Sequence, residues 1–197
     1  MFFFPHAGGS AKSYSSFKRF LPKELTVVPM ELSGRFTRSS EPLLDNVQDC
    51  IADLIEKHSE LLSGDYALFG HSMGTVLVTE FVKQTKAKGL RQPCHIFLSG
   101  KNPPDEDLMR ALNRVLCTDV RMAERYKATP DEVKFGCDIT VIYGKDDPLM
   151  QSVDMKSWSR FTDGKCEVFP FEGDHFYFQQ HKEEVCKIIT ERLGLSD

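Results

Sequence analysis

The stretch YALFGHSMGTVLVTEF, residues 66–81, joins an apolar run to an amphipathic run through a serine that stands between two glycines. Residues 66–70 have the continuous apolar character of a buried strand, and the residues after Gly74 have that of a helix. Ser72 therefore lies in the turn of a strand–turn–helix unit with the pattern Gly-x-Ser-x-Gly. Such a turn stores about 1–3 kcal/mol of strain. We interpret it as a nucleophile elbow, which exposes a serine hydroxyl above the end of a sheet.

The same alternation of short apolar runs and longer helical patterns continues along the chain. The predicted strands are residues 2–6, 25–32, 66–70, 94–100, 138–144 and 166–171. The predicted helices are residues 10–20, 45–62 with Asp45 as N-cap, 75–88, 106–126, 152–161 and 182–193. This order predicts an α/β protein with an open, mostly parallel sheet and helices on both faces. A chain of 197 residues suits a single domain.

Composition limits the classes of function. Apolar residues make up 41% and charged residues 27%, as in an ordinary globular protein, and the net charge of −4 argues against nucleic acid as a partner. The apolar runs are too short to span a membrane, and the opening MFFFPHAGG lacks the features of a signal peptide. Six widely spaced cysteines without a C-x-x-C pair indicate reduced thiols in a cytoplasmic protein.

A serine nucleophile needs a base, and on this architecture the partners follow it in the order acid, then histidine. His175 directly follows the last predicted strand and is the preferred base, whereas His181 begins the last helix. His71 stands inside the elbow, and His58 and His95 are interpreted as structural.

The acid is chosen among aspartates that follow predicted strands. Asp147 is preferred, with Asp146 as a turn residue. Asp174 adjoins the histidine and Asp105 follows another strand at the same edge, so both stay possible candidates for the acid.

The amino-terminal FFFPHAGGS supplies a loop after an early strand, where a second oxyanion donor is needed. The first predicted donor is the amide of Met73, which follows the nucleophile, and the second is the amide of Ala7. Gly8 and Gly9 let this loop approach a ligand closely.

The chain resembles the type II thioesterases of nonribosomal peptide and polyketide synthases, which are α/β-hydrolases. The segments that carry this resemblance are FFFPHAGGSAKSY, ELSGR, YALFGHSMG, HIFLSGKNPP, YGKDDPL and GDHFYF. The resemblance implies a monomer that hydrolyses acyl thioesters on the phosphopantetheine arm of acyl or peptidyl carrier proteins, freeing blocked carriers. It implies Ser72, Asp147 and His175 as the triad, an acyl-serine intermediate, and neither metal nor cofactor.

The chain departs from the family at three places. Ser33 replaces a proline, Asp174 replaces a glycine, and the helical lid, about residues 101–126, is short or incomplete. Residues expected near the substrate are His6, Gly8, Met73, Leu108, Met109 and Leu112.

Other functions stay open on the sequence. They are a medium-chain fatty acyl thioesterase, a small carboxylesterase, an acyltransferase and a non-catalytic binding module. Basic side chains that could steer an acidic carrier protein are Lys12, Lys18, Arg19, Arg35 and Arg38, or Lys83, Lys86, Lys88 and Arg91.

Overall fold

The computed structural model describes residues 1–101, 117–150 and 154–195. Within these residues six strands form one sheet in the order β2-β1-β3-β4-β5-β6, and all neighbouring strands are parallel. The strands are β1 (Phe2–Phe4), β2 (Val28–Pro29), β3 (Ala67–His71), β4 (His95–Ser99), β5 (Asp138–Gly144) and β6 (Cys166–Phe171). All six predicted strands are confirmed. The first, second and fourth are shorter than predicted, and the third is shifted by one residue.

The described part of the chain also contains four α-helices: α1 (Val47–Lys57), α2 (Met73–Ala87), α3 (Cys117–Arg125) and α4 (Lys182–Arg192). Tighter 3-10 helices span Ala11–Arg19, Phe36–Arg38, Ser59–Ser63, Met155–Phe161 and Tyr177–Gln179. Two predicted helices, 10–20 and 152–161, are therefore 3-10 segments as far as they are described. The predicted helix 45–62 is divided into α1 and a short 3-10 turn.

The N-cap of α1 is Asn46 and not the predicted Asp45. The Asn46 side chain accepts a hydrogen bond from the Asp49 amide at 2.8 Å. Asparagine is as good an N-cap as aspartate, so position along the helix rather than residue type decides between them.

Both faces of the sheet are covered, which explains why β1 is apolar at every residue. Phe2 and Phe4 pack against α1 and α2 on one face. Phe3 points to the other face, where it packs with the Ala11–Arg19 helix and α4. Because side chains alternate along a strand, a strand buried on both faces needs consecutive apolar residues.

The parallel strands bring the loops that carry the predicted site to one edge, the carboxyl edge of the sheet. These are the loops after β1, β3, β4, β5 and β6. The predicted lid, residues 101–126, is described only at Lys101 and from residue 117 onward. Its last part, α3, packs on the core through Met122, and beyond it the Tyr126 hydroxyl donates to Oε2 of Glu80 at 2.9 Å. Within the described residues, every helix is too short or too polar to cross a membrane.

Candidate active site

Ser72 lies between β3 and α2 with a backbone conformation that side-chain-bearing residues rarely adopt. Its φ is 54° and its ψ is −119°. The flanking glycines make this turn possible, since a Cβ on Gly70 would lie 2.3 Å from the Gly74 carbonyl oxygen. A Cβ on Gly74 would lie 2.6 Å from the carbonyl oxygen of Phe4. Both glycines therefore allow β1, β3 and α2 to meet closely enough to project Ser72 at the sheet edge.

The helix that follows the elbow presents its amino-terminal end to the serine. Ser72 occupies the N-cap position of α2, and the Met73 amide is the first of the helix. The amides of a first helical turn lack intrahelical acceptors and carry the positive end of the helix dipole. This end of α2 therefore favours negative charge at the position where the Ser72 hydroxyl stands.

His175 and Asp147 form a hydrogen-bonded pair at the same edge. Nδ1 of His175 lies 2.6 Å from Oδ2 of Asp147, which is completely buried. The other oxygen, Oδ1, accepts the Leu149 amide at 2.9 Å. Gly144 allows the loop of Asp147 to meet that of His175, because a Cβ there would lie 2.3 Å from the Asp174 carbonyl oxygen. The aspartate is thus fixed on one side and oriented toward the imidazole on the other.

The other aspartates considered for this role bind main-chain groups. Oδ2 of Asp146 accepts the Gly173 amide at 3.3 Å, and Oδ1 of Asp174 accepts the Phe176 amide at 2.9 Å. Both side chains therefore organise the loops around the pair. Asp105 lies outside the described residues.

The elbow and the His175–Asp147 pair are neighbours. The ring of His71, the residue before Ser72, lies 4.9 Å from the ring of His175 between centroids. A Cβ on Gly100 would meet Cε1 of His71 at 2.7 Å and Cε1 of His175 at 3.6 Å. No described residue forms a hydrogen bond with the Ser72 hydroxyl, so the contact between serine and histidine is the one that the reaction has to form. Such contacts are often long before substrate binds.

A buried polar chain behind the elbow was not predicted from the sequence. Nδ1 of His71 lies 2.9 Å from the Ser99 hydroxyl, which lies 2.6 Å from the Tyr177 hydroxyl. All three residues are at most 1% exposed. Burial lowers the pKa of His71 well below its usual value, and the nearby His175 and His6 lower it further. His71 is therefore neutral and ties the elbow to the loop that carries His175.

The loop after β1 presents one amide of the predicted oxyanion site. The Gly9 amide donates to the His6 carbonyl at 2.9 Å, and Gly8, at φ +69°, donates to Oδ2 of Asp119 at 3.0 Å. The Ala7 amide donates to no acceptor among the described residues. It is thus available to a ligand, whereas the Gly8 amide is not.

The residues expected to line a substrate pocket are described in part. The ring of His6 lies at the edge, 5.3 Å from the ring of Phe176, and burial lowers the pKa of His6. Phe176 was not predicted, yet it is 40% exposed and its ring lies 5.2 Å from that of His175. Leu108, Met109 and Leu112 lie outside the described residues.

The expectation that Arg35 and Arg38 form an exposed docking surface is wrong. Arg35 is 8% exposed and Arg38 is 7% exposed. Arg35 pairs with Asp119, and Arg38 pairs with Glu41 and Asp53. Runs of basic residues in a sequence do not reveal carboxylates that meet them in the fold.

A parallel sheet with a strained serine elbow and a histidine–aspartate pair at its carboxyl edge defines a serine hydrolase of the α/β-hydrolase fold. The chain belongs to the thioesterase family, since the model of the thioesterase domain matches residues 1–107 and 102–193. It is thus a hydrolase of acyl thioesters. The predicted fold and family are confirmed. The two matched segments meet at residues 102–107, inside the predicted lid.

Named relatives cover nearly the whole chain. The gramicidin S biosynthesis protein GrsT of Aneurinibacillus migulanus is 27% identical over 228 aligned positions, and the alignment covers 99% of this chain and 89% of that protein. ClbQ from the colibactin NRPS/PKS pathway has a TM-score of 0.90 at 27% identity, covering 98% of this chain and 95% of that one. The type II thioesterase BorB from the borrelidin biosynthetic cluster has a TM-score of 0.87 at 28% identity, covering 98% and 89%.

Proposed function

We propose that this thioesterase removes acyl groups from the phosphopantetheine arm of acyl or peptidyl carrier proteins and so frees blocked carriers in nonribosomal peptide or polyketide synthesis. Similarity to ClbQ, which is named from an NRPS/PKS pathway, supports this substrate class. Similarity to the gramicidin S biosynthesis protein GrsT and to the type II thioesterase BorB of the borrelidin biosynthetic cluster agrees with it. Release of stalled or wrong acyl groups requires a hydrolase with an accessible site, and Ser72 is partly exposed at the sheet edge.

The proposed reaction is a two-step acyl transfer through Ser72. Nε2 of His175 takes the proton of the Ser72 hydroxyl while Oγ attacks the thioester carbonyl carbon. The amides of Ala7 and Met73 stabilise the oxyanion. The carbon–sulfur bond then breaks, the pantetheine sulfur leaves with the proton from His175, and an acyl-serine is left.

Water completes the cycle by the same route. His175 takes a proton from water, whose oxygen attacks the acyl-serine carbonyl, and returns a proton to Oγ of Ser72 as the carboxylic acid leaves. Asp147 holds Nδ1 of His175 in the protonated tautomer throughout, so that Nε2 is free to accept protons.

The observation that carries the proposal is the 2.6 Å contact between His175 and the buried Asp147 at the sheet edge that also presents Ser72. A surface ion pair would not need a fully buried carboxylate. Burial of Asp147 beside an imidazole is what a base with a fixed tautomer requires.

Carrier docking is expected on the side of the elbow. Lys83, Lys86 and Lys88 lie at the end of α2, about 16–24 Å from Ser72 at a rise of 1.5 Å per residue, and Arg91 follows the helix. Lys12 is exposed on the 3-10 helix that follows the loop of Ala7, so it is the better candidate for contact with an acidic carrier.

The setting of the proposed function is the cytoplasm, with the protein as a single-domain monomer. Among the described residues Cys50, Cys94, Cys137, Cys166 and Cys186 are free thiols. Burial raises the pKa of Cys50 to about 11 and that of Cys186 to about 12, so these thiols stay protonated and unreactive. The lid segment, about residues 101–126, with Leu108 and Met109, is proposed to bound the acyl site.

The proposed function is tested with one carrier protein loaded with acetyl, aminoacyl or medium-chain groups, and deacylation is followed by intact-protein mass. We expect the wild type to deacylate the carrier and Ser72→Ala to be inactive, whereas Ser63→Ala, which changes an exposed serine, retains wild-type rates. A strong preference for medium-chain groups indicates a fatty acyl thioesterase.

Two parallel assays distinguish thioester hydrolysis from esterase and acyltransferase activity. Faster turnover of simple esters than of thioesters indicates a carboxylesterase, and acyl transfer to an added alcohol or amine indicates an acyltransferase. Absence of both turnover and labelling by a serine-directed fluorophosphonate in the wild type contradicts the proposal and favours a binding module.

A further inference from the structure

The carboxylate of Asp119, on α3, connects a buried arginine to the loop after β1. Its Oδ2 accepts the Gly8 amide at 3.0 Å. Its Oδ1 accepts two hydrogen bonds from Arg35, one from Nε at 2.9 Å and one from a terminal guanidinium nitrogen at 2.6 Å. Asp119 lies 84 positions from Arg35 and 111 from Gly8 in the chain, so these contacts exist only when α3 is docked on the body of the protein.

Arg35 is itself fixed by main-chain acceptors. Its guanidinium donates to the Ser33 carbonyl at 2.9 Å and to the Leu44 carbonyl at 3.1 Å. The side chains of Arg35 and Asp119 are 8% and 12% exposed. A planar guanidinium held at several donors cannot turn away from its partner. Buried ion pairs contribute little net stability, because desolvation offsets their attraction. Stability alone therefore does not explain why Arg35 and Asp119 form a buried ion pair.

The loop that Asp119 contacts closes as a tight turn. The Gly9 amide bonds the His6 carbonyl at 2.9 Å, and Gly8 has a φ of +69°. This is a turn of type II with Ala7 and Gly8 at its centre. A type I turn closes with the same hydrogen bond but has its central peptide reversed. In the reversed conformer the Ala7 carbonyl, rather than the Gly8 amide, would face Asp119.

Asp119 favours the first of these two turns. Its carboxylate attracts the Gly8 amide and repels the Ala7 carbonyl, so it stabilises the type II turn. On the other side of the loop the Ala7 carbonyl is already 3.0 Å from Nδ1 of His6. The central peptide is thus held at its N–H and at its C=O, next to the Ala7 amide that has no described acceptor.

We propose that Asp119, oriented by Arg35, is a positioning residue that holds the loop after β1 at its Gly8 amide and so keeps the neighbouring Ala7 amide in place for the oxyanion. The inference rests on the proposed function, in which the Ala7 amide stabilises the oxyanion. It assigns a catalytic consequence to a contact made by the helix that follows the lid segment.

The kinetic test compares Asp119→Ala and Asp119→Asn with Glu124→Gln, which removes one exposed negative charge from the same helix. With a small acyl thioester of N-acetylcysteamine as substrate, we expect Asp119→Ala to lower kcat at least about tenfold with little change in KM, because an oxyanion donor acts in the transition state. Asp119→Asn keeps an oxygen for the Gly8 amide and should lose less. Glu124→Gln should behave as the wild type.

A transition-state analogue separates positioning from general destabilisation. The dissociation constant of a trifluoromethyl ketone, which forms an oxyanion adduct with a serine, should rise in Asp119→Ala by the same factor as kcat/KM falls. If kcat and inhibitor affinity in Asp119→Ala stay within twofold of the wild type, the inference is wrong. If Asp119→Ala does not fold, the same two measurements on Asp119→Asn decide.

A spectroscopic readout makes the test independent of activity. In glycine-selectively ¹⁵N-labelled protein, the amide proton of Gly8 should resonate downfield in the wild type and in Glu124→Gln, and move upfield in Asp119→Ala. An unchanged Gly8 resonance in Asp119→Ala contradicts the inference. Failure of the wild type to hydrolyse any thioester contradicts the proposed function instead, and leaves the Gly8 measurement valid.

Discussion

Nδ1 of His175 lies 2.6 Å from Oδ2 of Asp147, and this carboxylate is fully buried while its other oxygen accepts the Leu149 amide. The aspartate is therefore held in place without any mobile partner. An imidazole in contact with it has one defined tautomer and one free nitrogen, which is the requirement for accepting the proton of a serine.

The first prediction concerns this pair. Asp147→Asn is nearly isosteric but offers the imidazole an amide, which favours the wrong tautomer. We expect kcat for thioester hydrolysis to fall roughly 10³- to 10⁴-fold, with little change in KM. Asp146→Asn is the matched control, since its carboxylate is exposed and accepts the Gly173 amide at 3.3 Å rather than contacting the imidazole. Equal losses in the two variants, measured by steady-state kinetics, would refute the role of Asp147.

The second prediction concerns the elbow. A Cβ on Gly70 would overlap the Gly74 carbonyl group at 2.3 Å, so Gly70→Ala forces β3 and α2 apart. We expect the free energy of unfolding to fall by about 1–3 kcal/mol or more, together with activity. The control is Gly64→Ala, where a Cβ meets nothing within 4 Å. Urea titration of both variants measures the difference, and an equally stable Gly70→Ala protein would contradict the packing described for the elbow.

The third prediction concerns the buried chain of His71, Ser99 and Tyr177. Ser99→Ala leaves two buried polar groups without a partner, whereas Tyr177→Phe leaves the bond between His71 and Ser99 intact. An unsatisfied buried group costs about 1–3 kcal/mol. Ser99→Ala should therefore destabilise the protein more than Tyr177→Phe does. The reverse order in chemical denaturation would mean that the serine is not the centre of the chain.

The fourth prediction concerns pH. Because burial lowers the pKa of His71, the unfolded chain binds a proton at this residue below pH about 6.5 and the folded chain does not. Stability is thus complete above that pH and declines as the pH falls, by up to about 1.4 kcal/mol per pH unit for this residue. His71→Asn should show a shallower decline between pH 6.5 and 5 than the wild type. Parallel curves of unfolding free energy against pH would contradict this account.

The strands and their parallel arrangement were predictable because a strand covered on both faces needs consecutive apolar residues, as at Phe2–Phe4. The pairing of His175 with an aspartate after β5 could also be predicted from the sequence, because parallel strands bring successive loops to one edge of the sheet. The distinction between α-helix and 3-10 helix, and the identity of the N-caps, were harder to predict from the sequence. Asn46 and Asp45 are comparable N-caps, and only the packing of α1 decides between them.

Contacts between distant side chains could not be predicted from the sequence. Arg35 and Arg38 stand in a basic stretch that suggests an exposed face, yet carboxylates from α1, α3 and a neighbouring loop bury them. In the same way, no local pattern relates Asp119 to Gly8 across 111 positions. Such pairs depend on how α3 is placed in three dimensions.

The most direct test of the central claim is to locate the acyl group during turnover. The wild type is mixed with an acyl thioester, quenched in acid within milliseconds, digested and analysed by mass spectrometry. We predict that the peptide containing Ser72 gains the mass of the acyl group minus one hydrogen, and that Ser72→Ala neither gains it nor turns over substrate. Acylation of a different residue, or wild-type turnover by Ser72→Ala, would contradict the account.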